Sequence, residues 1–263
     1  MKIDYIFDPG SSNEDSYLIK DNIFGVFDGY GRGKYIDEKG KTGGLIAAEI
    51  VRDVFFQNDK SLEILAREAN ERIQEKLNEL EIKDNSWSAV WAVGRIKDNF
   101  FEWIQLADSL ILVIYENGSF KLLVDDYDLD DRILPLWKEL AEKKEKNIMQ
   151  VLMARGVFDK LDSEKNKTFG VMNGQKEVFS FIKQGKEDLK NIKHIFLFTD
   201  GIFLPKEDPK APDDWHLFVK IFLEGGLKKI KDYVRNIEKD DPYCWQYPRF
   251  KQHDDITAIS ISF

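Results

Sequence analysis

The segment Ile23-Phe24-Gly25-Val26-Phe27-Asp28-Gly29 joins an apolar run to a carboxylate. A run of this kind, bounded by a turn-forming Asp-Gly pair, is typical of a buried β-strand. Because the end of such a strand is only partly hydrated, the charge of Asp28 requires a cation or several hydrogen-bond donors. The segment therefore predicts a strand over Ile23–Phe27 that leads into a polar site at Asp28 and Gly29.

The same pattern of a carboxylate at a strand end recurs elsewhere in the chain. Glu14 and Asp15 precede an apolar run, Asp200 follows one, and Asp254 opens the last one, with Asp108 as a further candidate. Lys and Arg are scarce around these motifs, so converging carboxylates would repel one another unless divalent cations bind between them. Oxygen ligands that leave room for water suit Mg²⁺ or Mn²⁺ rather than Zn²⁺.

A glycine follows both Asp28 and Asp200. Glycine permits a tight turn and lets a backbone carbonyl approach a bound ion. Each Asp-Gly pair, taken singly, is explained as well by an ordinary turn. The recurrence of carboxylates at four strand ends favours a site over separate turns.

The composition, with 43% hydrophobic and 33% charged residues in 263, fits an ordinary soluble protein. No linker divides the chain, so we expect one domain over residues 1–263. A net charge of −9 disfavours nucleic acid as a partner. Cys244 is the only cysteine, which excludes an intramolecular disulfide and a cysteine-rich zinc site. Without a signal peptide or an apolar run of about 20 residues, we expect a cytoplasmic protein with no membrane partner.

The predicted elements favour an α+β sandwich of antiparallel sheets, because strands come in consecutive groups with paired helices between them. The predicted strands are Ile3–Phe7, Tyr17–Lys20, Ile23–Phe27, Trp87–Ile96, Phe100–Leu106, Leu110–Tyr115, Ser119–Val124, Glu177–Lys183, His194–Phe198 and Ile256–Phe263. The predicted helices are Leu45–Phe56, Leu62–Leu80, Leu136–Ala154, Trp215–Leu223 and Leu227–Ile237.

The acidic motifs, in this order, resemble the signature of the protein phosphatase 2C family of metal-dependent Ser/Thr phosphatases. The matching segments are Asn13-Glu14-Asp15, Phe27-Asp28-Gly29-Tyr30-Gly31, Ala107-Asp108-Ser109, Thr199-Asp200-Gly201 and Asp254-Asp255-Ile256-Thr257. Thr168–Gly174 is also similar to a segment of bacterial relatives. The resemblance spans almost the whole chain and implies two antiparallel sheets packed face to face, flanked by helix pairs, with metals at one edge.

The resemblance also implies a role for each residue of the motifs. The implied metal ligands are Glu14, Asp15, Asp28, the Gly29 carbonyl, Asp108, Asp200 and Asp254. Asp28 would bridge two Mg²⁺ or Mn²⁺ ions, and Asp108 would help to hold a third, weaker ion. Asp28, Asp200 and Asp254 are the residues expected to be essential for catalysis.

The implied reaction is hydrolysis of phosphoserine or phosphothreonine in a phosphorylated protein, with a Ser/Thr kinase as the expected counterpart. Two metals would lower the pKa of a bridging water from 15.7 towards about 7, and the resulting hydroxide would attack phosphorus in line. The metals would also offset charge on the phosphoryl oxygens.

Two positions depart from the family pattern. Many members carry an arginine that grips the phosphate shortly before the Asn-Glu-Asp motif, whereas this chain has Asp8-Pro9-Gly10-Ser11-Ser12. Arg32 and Lys34 are candidate substitutes, or else ordinary solvated loop charges. Tyr30 stands where a histidine is thought to protonate the leaving group, and a phenol with a pKa of about 10 is a poor acid at neutral pH.

Two other functions remain open at this stage. The missing arginine and histidine favour a regulatory or binding module of the same fold with weak or no catalysis, whereas the complete set of aspartates favours an enzyme. The glycine-rich segment Gly29–Lys34 hints at nucleotide binding. It fails as a phosphate-binding loop of the Walker type, because Asp28 and Tyr35 replace its required first glycine and final Ser/Thr.

Overall fold

The computed structural model describes residues 1–31, 35–82, 86–125, 127 and 132–263. Within these ranges the strands are β1 (Lys2–Asp8), β2 (Ser16–Lys20), β3 (Ile23–Gly31), β4 (Trp87–Lys97), β5 (Phe100–Leu106), β6 (Leu110–Tyr115), β7 (Phe120–Leu122), β8 (Lys183–Asp188), β9 (Ile192–Phe198) and β10 (Ile256–Ser262). The helices are α1 (Gly43–Phe55), α2 (Leu62–Glu79), α3 (Leu134–Glu142), α4 (Ile148–Ala154), α5 (Val157–Glu164) and α6 (Trp215–Asp240).

The strands form two five-stranded sheets, one with the order β1-β10-β9-β6-β7 and the other with the order β2-β3-β4-β5-β8. Every pairing in both sheets is antiparallel. The sheets pack face to face through alternating apolar side chains, such as Phe24 and Val26 of β3 against Leu197 of β9 and Ile259 of β10. This confirms the predicted α+β sandwich.

Helices cover the outer faces of the sandwich. The helices α1 and α2 pack on the outer face of the β3 sheet, with Phe55 and Ile73 fully buried. On the other face, α6 packs Phe218 and Ile230 against the β9 sheet. Both α1 and α2 begin at a side-chain cap, where Thr42 and Ser61 each accept a hydrogen bond from a backbone N–H of the first turn.

A third helical layer lies beside the sandwich. The helices α3, α4 and α5 share an apolar cluster with the segment 241–253 that follows α6. Two indole N–H groups link this helical region to the segment 241–253. Trp137 donates to the carbonyl of Cys244 at 2.9 Å, and Trp245 donates to the carbonyl of Glu145 at 2.7 Å. We call α3, α4, α5 and residues 241–253 the helical flank.

Two predicted elements differ from the structure. The strand expected over Glu177–Lys183 is wrong, because Lys176–Ser180 forms a 3₁₀ turn and β8 follows it. The edge strand β8 is polar and largely exposed, so it lacks the apolar pattern used for prediction. The single helix expected over Leu136–Ala154 is divided into α3 and α4, and Lys144, with φ +58°, interrupts it.

The two helices predicted over Trp215–Leu223 and Leu227–Ile237 are confirmed as the two parts of α6. The segment labelled α6 runs from Trp215 to Asp240, and the non-helical dihedral angles of Gly225 and Gly226 divide it at a kink.

Among the helices in the described ranges, none combines the length and the apolar character that crossing a bilayer requires.

Candidate functional site

The acidic motifs meet at one edge of the sandwich. Asp15 precedes β2 and Asp28 lies within β3, while Asp200 follows β9 and Asp254 precedes β10. The contacts of β3 with β9 and β10 bring the two sheets together at this edge. We call Glu14, Asp15, Asp28, Asp108, Asp200 and Asp254 the carboxylate cluster.

The centre of the cluster is a contact between two carboxyl groups. The carboxyl groups of Asp28 and Asp200 interact, and this interaction by itself favours the charged form of Asp200. Burial, followed by repulsion from Asp15 and Asp200, raises the pKa of Asp28 well above its ordinary value. Burial and repulsion from Asp254 raise the pKa of Asp200 from 3.8 to about 6. Carboxyl groups perturbed in this way gain stability from a cation.

Asp15 extends the cluster into the sandwich and is only 3% exposed. The hydroxyl of Thr199 donates a hydrogen bond of 2.8 Å to its Oδ2, which joins the motif before β2 to the motif after β9. Burial raises the pKa of Asp15 well above its ordinary range, and the charges of Asp255 and Asp254 act in the same direction. One hydroxyl only partly offsets the burial of this charge.

Asp255 differs from its acidic neighbours because its carboxylate is saturated with donors. The backbone N–H groups of Gly10, Asn13 and Glu14 donate to it at 2.6, 3.0 and 2.7 Å. Asn13 has a φ of +53°, a left-handed conformation that Asn tolerates better than most residues. Asp255 therefore holds the loop that presents Glu14 and Asp15, a positioning role that the sequence did not reveal.

Glu14 lies at the first turn of α1. The hydroxyl of Thr42, the N-cap residue, donates to Glu14 Oε1 and accepts from the N–H of Leu45 at 3.2 Å. Burial raises the pKa of Glu14, even though Thr42 and Lys251 favour its charged form. The cap residue could have been predicted from the Thr-Gly-Gly sequence, but its bond to Glu14 joins residues 28 positions apart.

The surroundings of Asp254 differ from the expectation that basic residues are scarce around the acidic motifs. Lys251 Nζ lies 2.6 Å from Asp254 Oδ1, and the Arg235 guanidinium donates to the Asp254 carbonyl at 2.6 Å. Burial opposes the charge of Lys251, but attraction from Asp254, Asp28 and Asp200 raises its pKa. Lys251 stands in an irregular loop and Arg235 on α6, so neither motif spacing nor periodicity signalled their contacts with Asp254.

The glycines after Asp28 and Asp200 both permit close packing, and Gly201 also lies in a 3₁₀ turn over Asp200–Ile202. Gly29 continues β3, and a Cβ there would lie 2.3 Å from the carbonyl oxygen of Gly44. A Cβ at Gly201 would lie 2.0 Å from the carbonyl oxygen of Asp255. Neither glycine has a positive φ. The expected tight turn is therefore wrong for Gly29, and both glycines are required because another backbone approaches them.

Asp108 lies in the turn between β5 and β6, beside Ala107 with a φ of +59°. It adds to the repulsion on Asp28 and lines a cavity of about 140 Å³ together with Asp200 and Asp254. The structure thus brings all six predicted acidic residues, and the Gly29 backbone, to one edge. Arg32 and Lys34, the predicted phosphate-binding residues, lie outside the described residues.

The donor set of the cluster fits Mg²⁺ or Mn²⁺ in its chemistry. Its donors are carboxylate and backbone oxygens, and burial together with repulsion between acids raises the pKa values of Asp15, Asp28 and Asp200. Within the described part of the chain, however, no three Asp, Glu, His or Cys side chains already surround one point closely enough to hold an ion. Binding would require carboxylates to rotate towards the cations.

Comparisons with known proteins identify the fold. No protein-family model matches the sequence, and no curated protein sequence matches it. The chain is similar to the catalytic domain of the serine/threonine protein phosphatase PstP in complex with two manganese ions, with a TM-score of 0.60 and 13% identity over 98% of this chain and 96% of that chain.

Two further solved structures show the same likeness. Serine/threonine phosphatase Stp1 from Staphylococcus aureus has a TM-score of 0.58 and 15% identity over 100% of this chain and 94% of that chain. Serine-threonine phosphatase 2C from Toxoplasma gondii has a TM-score of 0.56 and 15% identity over 99% and 94%. The chain therefore has the fold of these phosphatases over its described length.

Proposed function

We propose that this chain, which has the protein phosphatase 2C fold, is a metal-dependent phosphatase that hydrolyses phosphoserine and phosphothreonine in proteins. The proposal includes one catalytic domain over residues 1–263. The solved structures with this fold support the class of reaction, and one of them holds two manganese ions. At 13–16% identity they support the fold more directly than the activity, so the main support comes from the site.

The contact between the Asp28 and Asp200 carboxyl groups carries the proposal. Two half-buried acids from different sheets meet, and repulsion from neighbouring carboxylates adds to burial in raising both pKa values. An arrangement that only stabilised the fold would give each carboxylate its own donors, as Asp255 has. Mutual repulsion at one edge is instead what a site for divalent cations requires.

The resemblance to the protein phosphatase 2C family implies which residues of the cluster would hold the cations. Asp28 is the candidate to bridge two ions, with Asp200 and Asp254 on one side. Glu14, Asp15 and the Gly29 carbonyl are the candidates on the other side, and Asp108 is the candidate for a third ion. When bound, Mg²⁺ or Mn²⁺ would supply an activated water and offset the charge of the phosphoryl group.

The chain's own residues would orient these ligands. The Arg235 guanidinium holds the backbone of Asp254, and the Asp255 carboxylate holds the backbone of Glu14. The N–H of Asp255 also donates to Asp254 Oδ1 at 2.8 Å, which fixes the carboxylate plane of Asp254. Fixed ligands lower the cost of reorganisation during the reaction.

Hydrolysis of p-nitrophenyl phosphate with Mn²⁺ tests the proposed function. We expect turnover by the unaltered protein and a loss of about 100-fold or more in Asp28→Asn and Asp200→Asn. Asp4→Asn, on the exposed face of β1, is the matched control and should keep full activity. Metal-independent turnover, or equal turnover in all four proteins, would refute the assignment.

A second candidate function is a binding module without catalysis. It is favoured by two positions of the sequence: the segment Asp8–Ser12 has no arginine, and Tyr30 stands where the family usually has a histidine. Mn²⁺-dependent binding of a phosphopeptide without any release of phosphate would support it. Phosphate release under the same conditions would exclude it.

The proposed substrate is a phosphorylated protein, with a Ser/Thr kinase as the expected counterpart. A cytoplasmic location is part of the proposal, because the single cysteine gives no disulfide to maintain. The net charge of −9 makes nucleic acid an unsuitable partner. Dephosphorylation of a protein by the purified chain, compared with p-nitrophenyl phosphate, tests the substrate class.

A further inference from the structure

A cavity of about 140 Å³ continues from the carboxylate cluster. Asp108, Asp200 and Asp254 line one side of it, and three basic residues, Lys206, Arg249 and Lys251, also line it. A phosphate ester that reaches the cluster through this cavity carries negative charge past negative side chains. A positively charged side chain along this path would therefore attract the phosphate ester and offset the repulsion.

Two of these three cations are held in structural contacts. The Arg249 guanidinium pairs with the carboxylate of Asp241 at 3.0 Å and donates to the carbonyls of Tyr247 and Glu238. Lys206 Nζ lies 3.1 Å from the carboxylate of Asp213, whose exposed fraction is 10%. Each of these two charges is therefore already paired with a carboxylate outside the carboxylate cluster.

Lys251 differs from them because its ammonium faces the cluster. Its Nζ lies 2.6 Å from Asp254 Oδ1 and donates to Ser12 Oγ at 3.1 Å. An ammonium has three donors, so one N–H remains for a ligand after these two contacts. The side chain is 33% exposed, which leaves it accessible from the cavity while it is held in place.

The geometry of Asp254 allows Lys251 and a metal ligand to coexist. Its Oδ1 accepts from both Lys251 Nζ and the N–H of Asp255. The second oxygen, Oδ2, takes part in neither of these two contacts, so it is the oxygen that would bind a cation. Lys251 therefore does not have to leave Asp254 for the proposed metal site to fill.

We propose that Lys251 binds the phosphoryl group of the substrate, donating its remaining N–H to a non-bridging oxygen. This inference rests on the proposed function and names the residue that recognises the phosphate. The segment Asp8–Ser12 contains no arginine, and the Lys251 ammonium reaches this segment at Ser12. A point charge held by two contacts suits a phosphate dianion.

Lys251→Met tests the inference through phosphate affinity rather than stability. With Mn²⁺ present, we expect KM for p-nitrophenyl phosphate and the inhibition constant of inorganic phosphate to rise at least about tenfold. Lys251→Arg, which keeps the charge, should restore both constants to within about threefold. The matched control is Lys231→Met, because Lys231 is similarly exposed at 28% and lies beside Asp8 rather than in the cluster.

Calorimetric titration with Mn²⁺ separates phosphate binding from positioning of Asp254. Lys251→Met should bind Mn²⁺ at least as tightly as the unaltered protein, because a positive charge near the cations has been removed. Weaker Mn²⁺ binding would show that Lys251 only supports Asp254 and would overturn the inference. An unchanged phosphate constant would overturn it as well.

A direct titration with inorganic phosphate distinguishes failure of this inference from failure of the proposed function. If the unaltered protein hydrolyses nothing, the proposed function fails. Phosphate binding that is lost in Lys251→Met and kept in Lys231→Met would still support a phosphate site at Lys251. Equal phosphate binding by all variants, or none by the unaltered protein, counts against that site.

Discussion

The carboxylates of Asp241 and Asp200 have opposite surroundings. In the helical flank, Asp241 accepts from the N–H groups of Trp245 and Tyr247, each at 2.9 Å, and from Arg249 at 3.0 Å. In the carboxylate cluster, burial and repulsion from Asp254 raise the pKa of Asp200 to about 6. Hydrogen-bond donors stabilise the charge of Asp241, whereas a neighbouring carboxylate repels the charge of Asp200.

The difference shows that burial alone does not identify a functional carboxylate. Asp241 and Asp255 are 7% and 3% exposed, yet their donors give them a structural role. In the cluster, by contrast, the carboxylates repel one another, and a bound cation would reduce this repulsion. A functional carboxylate is therefore marked by repulsion from neighbouring acids rather than by burial.

The largest expected effect comes from the same substitution in both regions. Asp241→Asn should lower the free energy of unfolding by about 3 kcal/mol, because the 15%-exposed Arg249 loses its charge partner. Asp28→Asn should raise stability in the absence of divalent cations, because a repelling charge is removed. Chemical denaturation in EDTA measures both, and a loss of stability in Asp28→Asn would erase the distinction between the regions.

Addition of Mn²⁺ should stabilise the protein through the cluster alone. At a free concentration about 100 times Kd, binding to the folded state adds about 2.7 kcal/mol to the free energy of unfolding. Asp28→Asn should lose this increment and Asp241→Asn should keep it. Thermal unfolding with and without Mn²⁺ measures the increment, and an equal shift in both variants would place the ion elsewhere.

Stability without divalent cations should depend on pH through Asp200. Its folded-state pKa, about 6, exceeds the ordinary value of 3.8, so the folded protein binds more protons between these limits. The free energy of unfolding contributed by this group therefore falls as the pH rises from about 4 to about 6, by about 1–2 kcal/mol. Denaturation in EDTA across this range should show a weaker decline in Asp200→Asn, and parallel curves would contradict the shift.

In the helical flank, Trp137→Phe should cost about 1 kcal/mol of stability, because the carbonyl of Cys244 loses its indole donor. Mn²⁺ binding should not change, because the residue lies outside the cluster. Denaturation and Mn²⁺ titration of this one variant test both statements. A change in Mn²⁺ affinity would indicate that the flank and the cluster are coupled.

The smallest expected effect concerns the leaving group. Tyr30 is 41% exposed beside the ammonium of Lys165, 4.5 Å from the centre of its ring. Because a phenol is a poor acid at neutral pH, aryl phosphates should be hydrolysed faster than alkyl phosphates. Tyr30→His should raise the rate on alkyl phosphates by about threefold to tenfold and leave aryl phosphates unchanged. Equal rates on both esters in the unaltered protein would contradict this reading.

Most of the fold was predictable because its strands and helices carry strong periodic patterns. The buried face of α2, with Leu65, Ala69 and Ile73, follows the helical period. The elements missed were those whose form depends on neighbours. The strand β8 is polar because it lies at an edge, and the apolar Val178 packs in the core from a 3₁₀ turn.

By itself, the sequence determined which residues are acidic, where they stand relative to strands, and hence the donor chemistry of the site. Only the tertiary structure decided which of these acidic side chains accept enough hydrogen bonds to stabilise their charge. Asp254 and Asp255 are adjacent in sequence, yet one faces the cluster beside Lys251 and the other binds three backbone N–H groups. The physical reason is that a carboxylate's free energy depends on the groups that folding brings to within a few ångströms, and those come from distant parts of the chain.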